Sequence, residues 1–247
     1  MKIIRSQTPE ELGRKVADAA AQTLREAIAS KGVAYLLVST GASQFTTFEA
    51  LIKSDVDWAK VEMFHLDEYL DMPDTHPASF IKYLKERFTN HVPLKAAHFV
   101  DTSVGADEII KRLTKEITAK PIDLGLIGIG ENTHIAFNDP PADFEDDAAF
   151  KIVQLDEACR KQQFGEGWFP TLEDVPREAI SMTVKQILKC KKILSAVPFK
   201  VKAQAIYKTL TAKEITPDIP ATALRMHGDV TLFLDAGSAS LIGEDVK

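Results

Sequence analysis

The chain has 247 residues, of which 45% are hydrophobic and 27% charged, with a net charge of -6. This is an ordinary globular composition, long enough to bury the core of one large α/β domain. It contains no basic run of five residues that would mark a nucleic-acid face, and no stretch approaching the roughly 18 apolar residues of a membrane span.

From the N-terminus, MKIIRSQTPEELG lacks the long apolar segment of a signal peptide, so a cytoplasmic location is expected. Thr8, Pro9 and Glu11 form a helix start, with a capping residue, a first-position proline and the acid of a capping box. Leu12, Val16, Ala20, Leu24 and Ile28 then share one helical face, and Gly32 is placed to end it. Val33 to Val38 is a continuous apolar run, as expected of a strand buried on both sides. A small polar turn, Ser39 to Gln44, leads to a helix over about Phe45 to Ile52. Val61 to His65 predicts a strand, Ser79 to Phe88 and Glu108 to Ile117 helices, and Ile122 to Ile127 another strand. Further strands are expected at Ile193 to Val197 and Val230 to Leu234, with a helix at Val201 to Leu210 between them.

Alternating strands and helices imply an α/β domain spanning residues 1–247: a single doubly wound, mostly parallel, Rossmann-like sheet with helices on both faces. Residues 162–176 break the alternation, with two glycines, two prolines and aromatics but no period. They read either as a lid or as a surface loop around a packed Trp168. Cys159 and Cys190 lack metal-like spacing and make no secreted disulfide scaffold.

Ligands of such sheets bind beyond the carboxyl ends of the strands, and three segments follow predicted strands. Ser39 to Gln44 suits an anion: Gly41 and Ala42 permit close approach, while Thr40 and Ser43 carry hydroxyls. It is not a Walker loop, and a plain capped turn would look the same. Asp67-Glu68 is either a general base beside a carbonyl or a solvated acidic turn. Gly128-Ile129-Gly130 opens a tight turn towards His134, with Asn132 and Asp139 nearby. A histidine acting near neutral pH needs a partner for its tautomer, and Asp139 or Glu131 could supply it. A buried structural histidine is the alternative. Thr133 stands where a dinucleotide fingerprint needs its third glycine, so a nicotinamide enzyme is not expected. Zincin, α/β-hydrolase and Cys/His zinc patterns are missing as well.

Taken together, Ser39-Thr40-Gly41, Leu66-Asp67-Glu68-Tyr69, and Gly128-x-Gly130 leading to His134-Ile135-Ala136-Phe137-Asn138 resemble the glucosamine-6-phosphate deaminase family. Order and spacing match from about residue 30 to 235. His76-Pro77 with Ser79-Phe80, and the alanine-rich Ala221 to His227, resemble further family segments. Tyr69 stands where the sister 6-phosphogluconolactonases usually carry arginine.

The resemblance implies an amino-sugar 6-phosphate as substrate, and fructose 6-phosphate and ammonia as products. Asp67 matches the base that moves a proton between C2 and C1, and His134 the residue that opens the sugar ring. Gly41, Ala42 and Ser43 match the phosphate cradle, Lys202 a phosphate-binding lysine, and residues 162–176 the lid. For the lid's phosphate arginine, Arg160 is the nearest residue, although a gapless alignment places Gln163 there. No cofactor is implied. Some relatives are allosteric hexamers, but their effector residues are not matched, so simple kinetics are expected and a homo-oligomer is left open.

This chain departs from the family in having Asn132 for the usual aspartate, Thr133 for glycine and Asp139 for glutamate. The segments Glu131 to Pro141 and Cys159 to Phe169 resemble a subgroup reading GEN-x-HIAFNDPP and CRxQ…GEGWF, which accounts for Asn132 and Asp139 but not Thr133. A lactonase, using histidine to activate water, and a non-catalytic sugar-phosphate sensor are the competing readings.

Overall fold

The computed structural model describes residues 1–243. Strand β1 (Lys2–Arg5) leads into helix α1 (Pro9–Lys31). Thr8 caps α1 by accepting from the Glu11 amide, and Gly32 closes it at φ 78° by donating to the Ile28 carbonyl. Strand β2 (Ala34–Val38), helix α2 (Phe45–Leu51) and strand β3 (Val61–His65) follow. After these come β4 (Asp67–Tyr69), α3 (Phe80–Leu84), β5 (Ala96–His98), α4 (Ala106–Thr118) and β6 (Leu124–Leu126). The chain then forms β7 (Phe150–Gln154), α5 (Glu157–Gly165), β8 (Glu178–Met182) and α6 (Val184–Ile187). Strand β9 (Lys192–Val197), α7 (Ala203–Thr211) and β10 (Val230–Leu234) complete it. Among the described residues, no helix is long and apolar enough to cross a membrane.

Seven strands form one sheet in the order β1-β10-β9-β6-β2-β3-β5, and every pairing is parallel. Both faces are apolar, and successive side chains serve opposite cores. On one side Leu36, Val38, Leu194 and Phe233 pack with Leu12, Val16, Phe48 and Leu84 of α1, α2 and α3. On the other, Leu37, Ile193, Leu232 and Leu234 pack with Ile109, Leu113, Ile187 and Ile206 of α4, α6 and α7. From β2 the chain winds outward to β3 and β5, and from β6 it winds the other way to β9 and β10. The β2–β6 seam is therefore the switch point, where the crevice of such a sheet opens.

A second sheet, absent from the sequence reading, holds three antiparallel strands in the order β4-β8-β7. Asp67-Glu68 is accordingly a buried strand and not a solvated turn. This sheet covers a third apolar cluster of Tyr69, Phe137, Cys159, Phe169 and Val175. The 162–176 stretch is the end of α5 followed by coil, anchored in that cluster by Phe169 and Val175.

Candidate active site

The cleft lies where the switch point predicts. It is walled by the turn after β2 (Ser39 to Ser43), the turn after β6 (Gly128 to Glu131), Asp67, His134 and Lys202. One wall comes from Gln162, Gln163 and Glu166 at the end of α5. The sequence-predicted Thr40, Gly41, Ala42, Ser43, Gly130, Asp67, His134 and Lys202 thus share one cavity.

Asp67 begins β4, directly opposite Ser181 of β8. Its carboxyl is pushed up to about 8, mainly by burial and then by the charge of Glu68, while the Phe137 amide works the other way. Glu68 is fully buried and faces away from the cleft. It accepts from the Tyr69 amide at 3.0 Å, the Ser79 hydroxyl at 2.9 Å and the Ile81 amide at 3.0 Å, which ties β4 to the start of α3. Of the two adjacent acids, Asp67 is therefore the one presented to the cleft and Glu68 the anchor.

His134 lies on a tight loop. The Gly130 amide donates to the His134 carbonyl at 2.9 Å, and the Thr133 amide to the Gly130 carbonyl at 3.0 Å. The imidazole rests against the Cα of Gly130, where a Cβ would meet Cε1, Nε2 and Nδ1 at 2.2, 2.3 and 2.4 Å. Its Nδ1 is 3.2 Å from Asp139 Oδ1, out of line for a good hydrogen bond. Asp139 is held in turn: Oδ1 accepts from Asn132 Nδ2 at 3.0 Å, and Oδ2 from the Asp156 amide at 3.1 Å. Despite burial, these donors and the histidine keep its carboxyl below the usual range. Asn132 and Asp139 stand behind the histidine and do not line the cleft. Asn132 also accepts from the His134 amide at 3.2 Å, so the pair positions the ring.

Asp156 caps α5 through the Cys159 amide, so the same network joins the His134 loop to the wall that α5 supplies. The Cys159 thiol lies among carboxylates, and burial pushes its titration far up. One ring nitrogen of His134, a carboxylate oxygen of Asp139 and the Cys159 sulfur lie within 4.8 Å of one another, the one group among the described residues that could hold a metal ion.

Thr133 sits at φ 76° with its side chain buried and its hydroxyl unpaired. That left-handed conformation favours glycine, which explains why glycine suits the position and leaves threonine strained. Thr133→Gly removes the strain and the orphaned hydroxyl, against the loss of one buried methyl. The expected outcome is a melting temperature unchanged or raised by about 2–4 °C. A drop in a thermal scan would show that the side chain contributes packing the geometry does not reveal.

Lys202 ends a 3-10 turn before α7 and is buried; its amide donates to the Phe199 carbonyl, and among the described residues its ammonium has no hydrogen-bond or ion-pair partner. Burial lowers its titration, opposed by the charges of Glu166 and Glu131. Arg160 corrects the sequence expectation. It lies outside the cleft, with Nε and Nη2 donating to the carbonyls of Val175 at 3.2 Å and Leu172 at 2.7 Å. That side of α5 faces the coil to which the guanidinium is bound. Gln163 does face the cleft, but its Oε1 accepts from the Tyr69 hydroxyl at 2.8 Å. Tyr69 therefore holds the α5 wall and does not itself line the cleft.

The lining residues Gln162 and Glu166 fall within the 162–176 stretch and Phe80 within the His76 to Phe80 segment, whereas sequence reading missed Phe199 in the lining and the contact of Ser181 Oγ with the Phe137 amide at 3.0 Å. Phe199, a non-glycine residue at φ 81° just before Lys202, carries no signal in the sequence.

The family model of glucosamine-6-phosphate isomerases/6-phosphogluconolactonase matches residues 7–233. A glucosamine-6-phosphate deaminase of Bacillus cereus (strain B4264) is 33% identical over 248 residues, covering 100% of this chain and 91% of the relative. One from Bacillus pumilus (strain SAFR-032) is 35% identical over 251 residues, covering 98% and 100%. Among solved structures, a monomeric glucosamine-6-phosphate deaminase superposes with a TM-score of 0.88 at 31% identity, covering 98% of this chain and 100% of that one. The 6-phosphogluconolactonase of Thermotoga maritima shares the fold, with a TM-score of 0.76 at 17% identity, covering 95% and 98%.

Proposed function

We infer that this chain, which belongs to the family of glucosamine-6-phosphate isomerases and 6-phosphogluconolactonases, converts glucosamine 6-phosphate and water to fructose 6-phosphate and ammonia. The observation that carries this reading is the pairing, in one cleft, of buried Asp67 with buried and unpartnered Lys202. A buried ammonium calls for an anion, and a shielded carboxylate for a proton to move. The relatives at 31% to 35% identity described as deaminases favour this chemistry over lactone hydrolysis.

The phosphate binds Lys202 and the turn Thr40 to Ser43. His134, positioned by Asp139 and Asn132, moves the ring-oxygen proton so that the pyranose opens to the C1 aldehyde. Ionised Asp67 removes the C2 proton while a proton of the substrate's ammonium passes to O1, giving an enolamine, and Asp67 then returns its proton to C1. Water then adds to the C2 imine, and the nitrogen leaves as ammonia. The proton thus ends on C1, the water oxygen becomes the C2 ketone, and no redox partner enters. Because burial keeps Asp67 protonated to about 8, the substrate's own ammonium supplies the positive charge that favours its ionisation on binding.

The test is ammonia release and fructose 6-phosphate formation from glucosamine 6-phosphate, with 6-phosphogluconolactone as the competing substrate. Turnover of the amino sugar alone is the expected result. Turnover of the lactone alone would overturn the reading, and binding without turnover would leave a sensor.

A further inference from the structure

A phosphate dianion in the cleft meets one cation, Lys202, alongside Asp67, Glu131 and Glu166. Arg160 is committed to loop carbonyls, and uncharged Gln163 to Tyr69. The charge of the ligand is therefore under-matched within the cleft itself.

A side chamber opens off the cleft, sharing Gly41, Phe80 and Glu166 with it. Its outer wall carries Tyr83, Arg87 and Trp168. The Arg87 guanidinium lies 3.7 Å over the centre of the Phe45 ring and 5.6 Å from that of Tyr83, and the two rings stack at 5.6 Å. Tyr83 donates its hydroxyl to the Gly41 carbonyl at 2.9 Å, so this aromatic shelf is fastened to the phosphate turn. Among the described residues, the Arg87 guanidinium has no carboxylate within ion-pair distance and no hydrogen bond. Stacking on rings restrains an arginine without neutralising it, and leaves its N–H edge free for an oxyanion. Glu166 lines both chambers, and its charge acts on Lys202 in one and on Tyr83 in the other.

We propose that Arg87, held on the Phe45–Tyr83 shelf beside Gly41, is the second cation that receives the substrate's phosphate, in place of the arginine missing from α5. It acts in binding and not in proton transfer, and its contribution rests on the sugar-phosphate reading of the cleft.

The experiment compares wild type, Arg87→Ala, Arg87→Lys and, as a control, Lys85→Ala, whose exposed ammonium is paired with Asp74. Arg87 is exposed, so its removal leaves the core intact. The expected result for Arg87→Ala is a KM for glucosamine 6-phosphate raised about 10- to 100-fold at nearly constant kcat. Competitive inhibition by inorganic phosphate should weaken to the same extent, lysine should restore part of both, and Lys85→Ala should change neither. Unchanged KM and phosphate inhibition, or a fall in kcat alone, overturns the proposal. If wild type does not turn over glucosamine 6-phosphate, the sugar reading fails. Direct titration of wild type and Arg87→Ala with inorganic phosphate still decides the role of Arg87, because equal affinities would sink it.

Discussion

Asp67→Asn is expected to cut ammonia release by about 10²- to 10⁴-fold with little change in KM, while making the protein harder to unfold at alkaline pH. The catalytic loss follows because an amide cannot accept the C2 proton, although it fills the same space at the cleft wall. The stability gain follows from the carboxyl itself. Its folded value, about 8, lies above the roughly 3.9 of an unfolded aspartate, so the folded state holds the proton more tightly. Between those two values the native protein binds more protons than the unfolded chain, and wild-type stability falls as pH rises. The penalty is absent near pH 4 and complete above about pH 8. Asparagine carries none of it. The melting-temperature advantage of the variant should therefore be negligible near pH 4, grow towards pH 8 and then level off. Thermal scans across that range decide the point, and a pH-independent difference would remove burial as the cause. In wild type, kcat/KM should rise with pH towards a limb near about 8, since it reports the free enzyme. The limb in kcat should lie lower, because the bound ammonium favours the ionised carboxylate.

Gly130→Ala should lower kcat/KM by about 100-fold or more, although alanine is a mild change in most loops. The backbone at Gly130 is not in the left-handed region, so the effect is one of space alone. A Cβ there falls 2.2 to 2.4 Å from three atoms of the His134 ring. Gly130 cannot draw away from His134 without breaking the two hydrogen bonds that join it to Thr133 and His134. The ring must therefore leave its place over Gly130 and its approach to Asp139. If that displacement is the whole cause, Gly130→Ala and His134→Ala act through the same group. Their double variant should then be no worse than the poorer single one. Additive losses in steady-state kinetics would show instead that Gly130 acts through backbone contact with the ligand.

What lay in the sequence was whatever depends on near neighbours in the chain. The cap by Thr8, the stop at Gly32 and the doubly buried run of β2 are local, because capping geometry and side-chain period are set within a few residues. The parallel sheet follows from the alternation of such elements, and with it the convergence of the turns after β2 and β6. The family resemblance added roles for Asp67, His134 and Lys202, all of which the fold brings to one cleft. Strands β4, β7 and β8 were not legible. Three residues of β4 carry no period, and the sheet exists through partners as distant as Asp67 and Ser181. Arg160 misled because a charge in a sequence has no direction: α5 turns this one towards the carbonyls of residues 172 and 175. Thr133 looked arbitrary until its positive φ was seen. The sequence by itself determined the elements and the chemical kinds of side chain available. Only the tertiary structure decided which acid lines the cleft, which basic side chain faces it unpartnered and what stands behind His134, because burial and hydrogen-bond partners arise from residues distant in the chain.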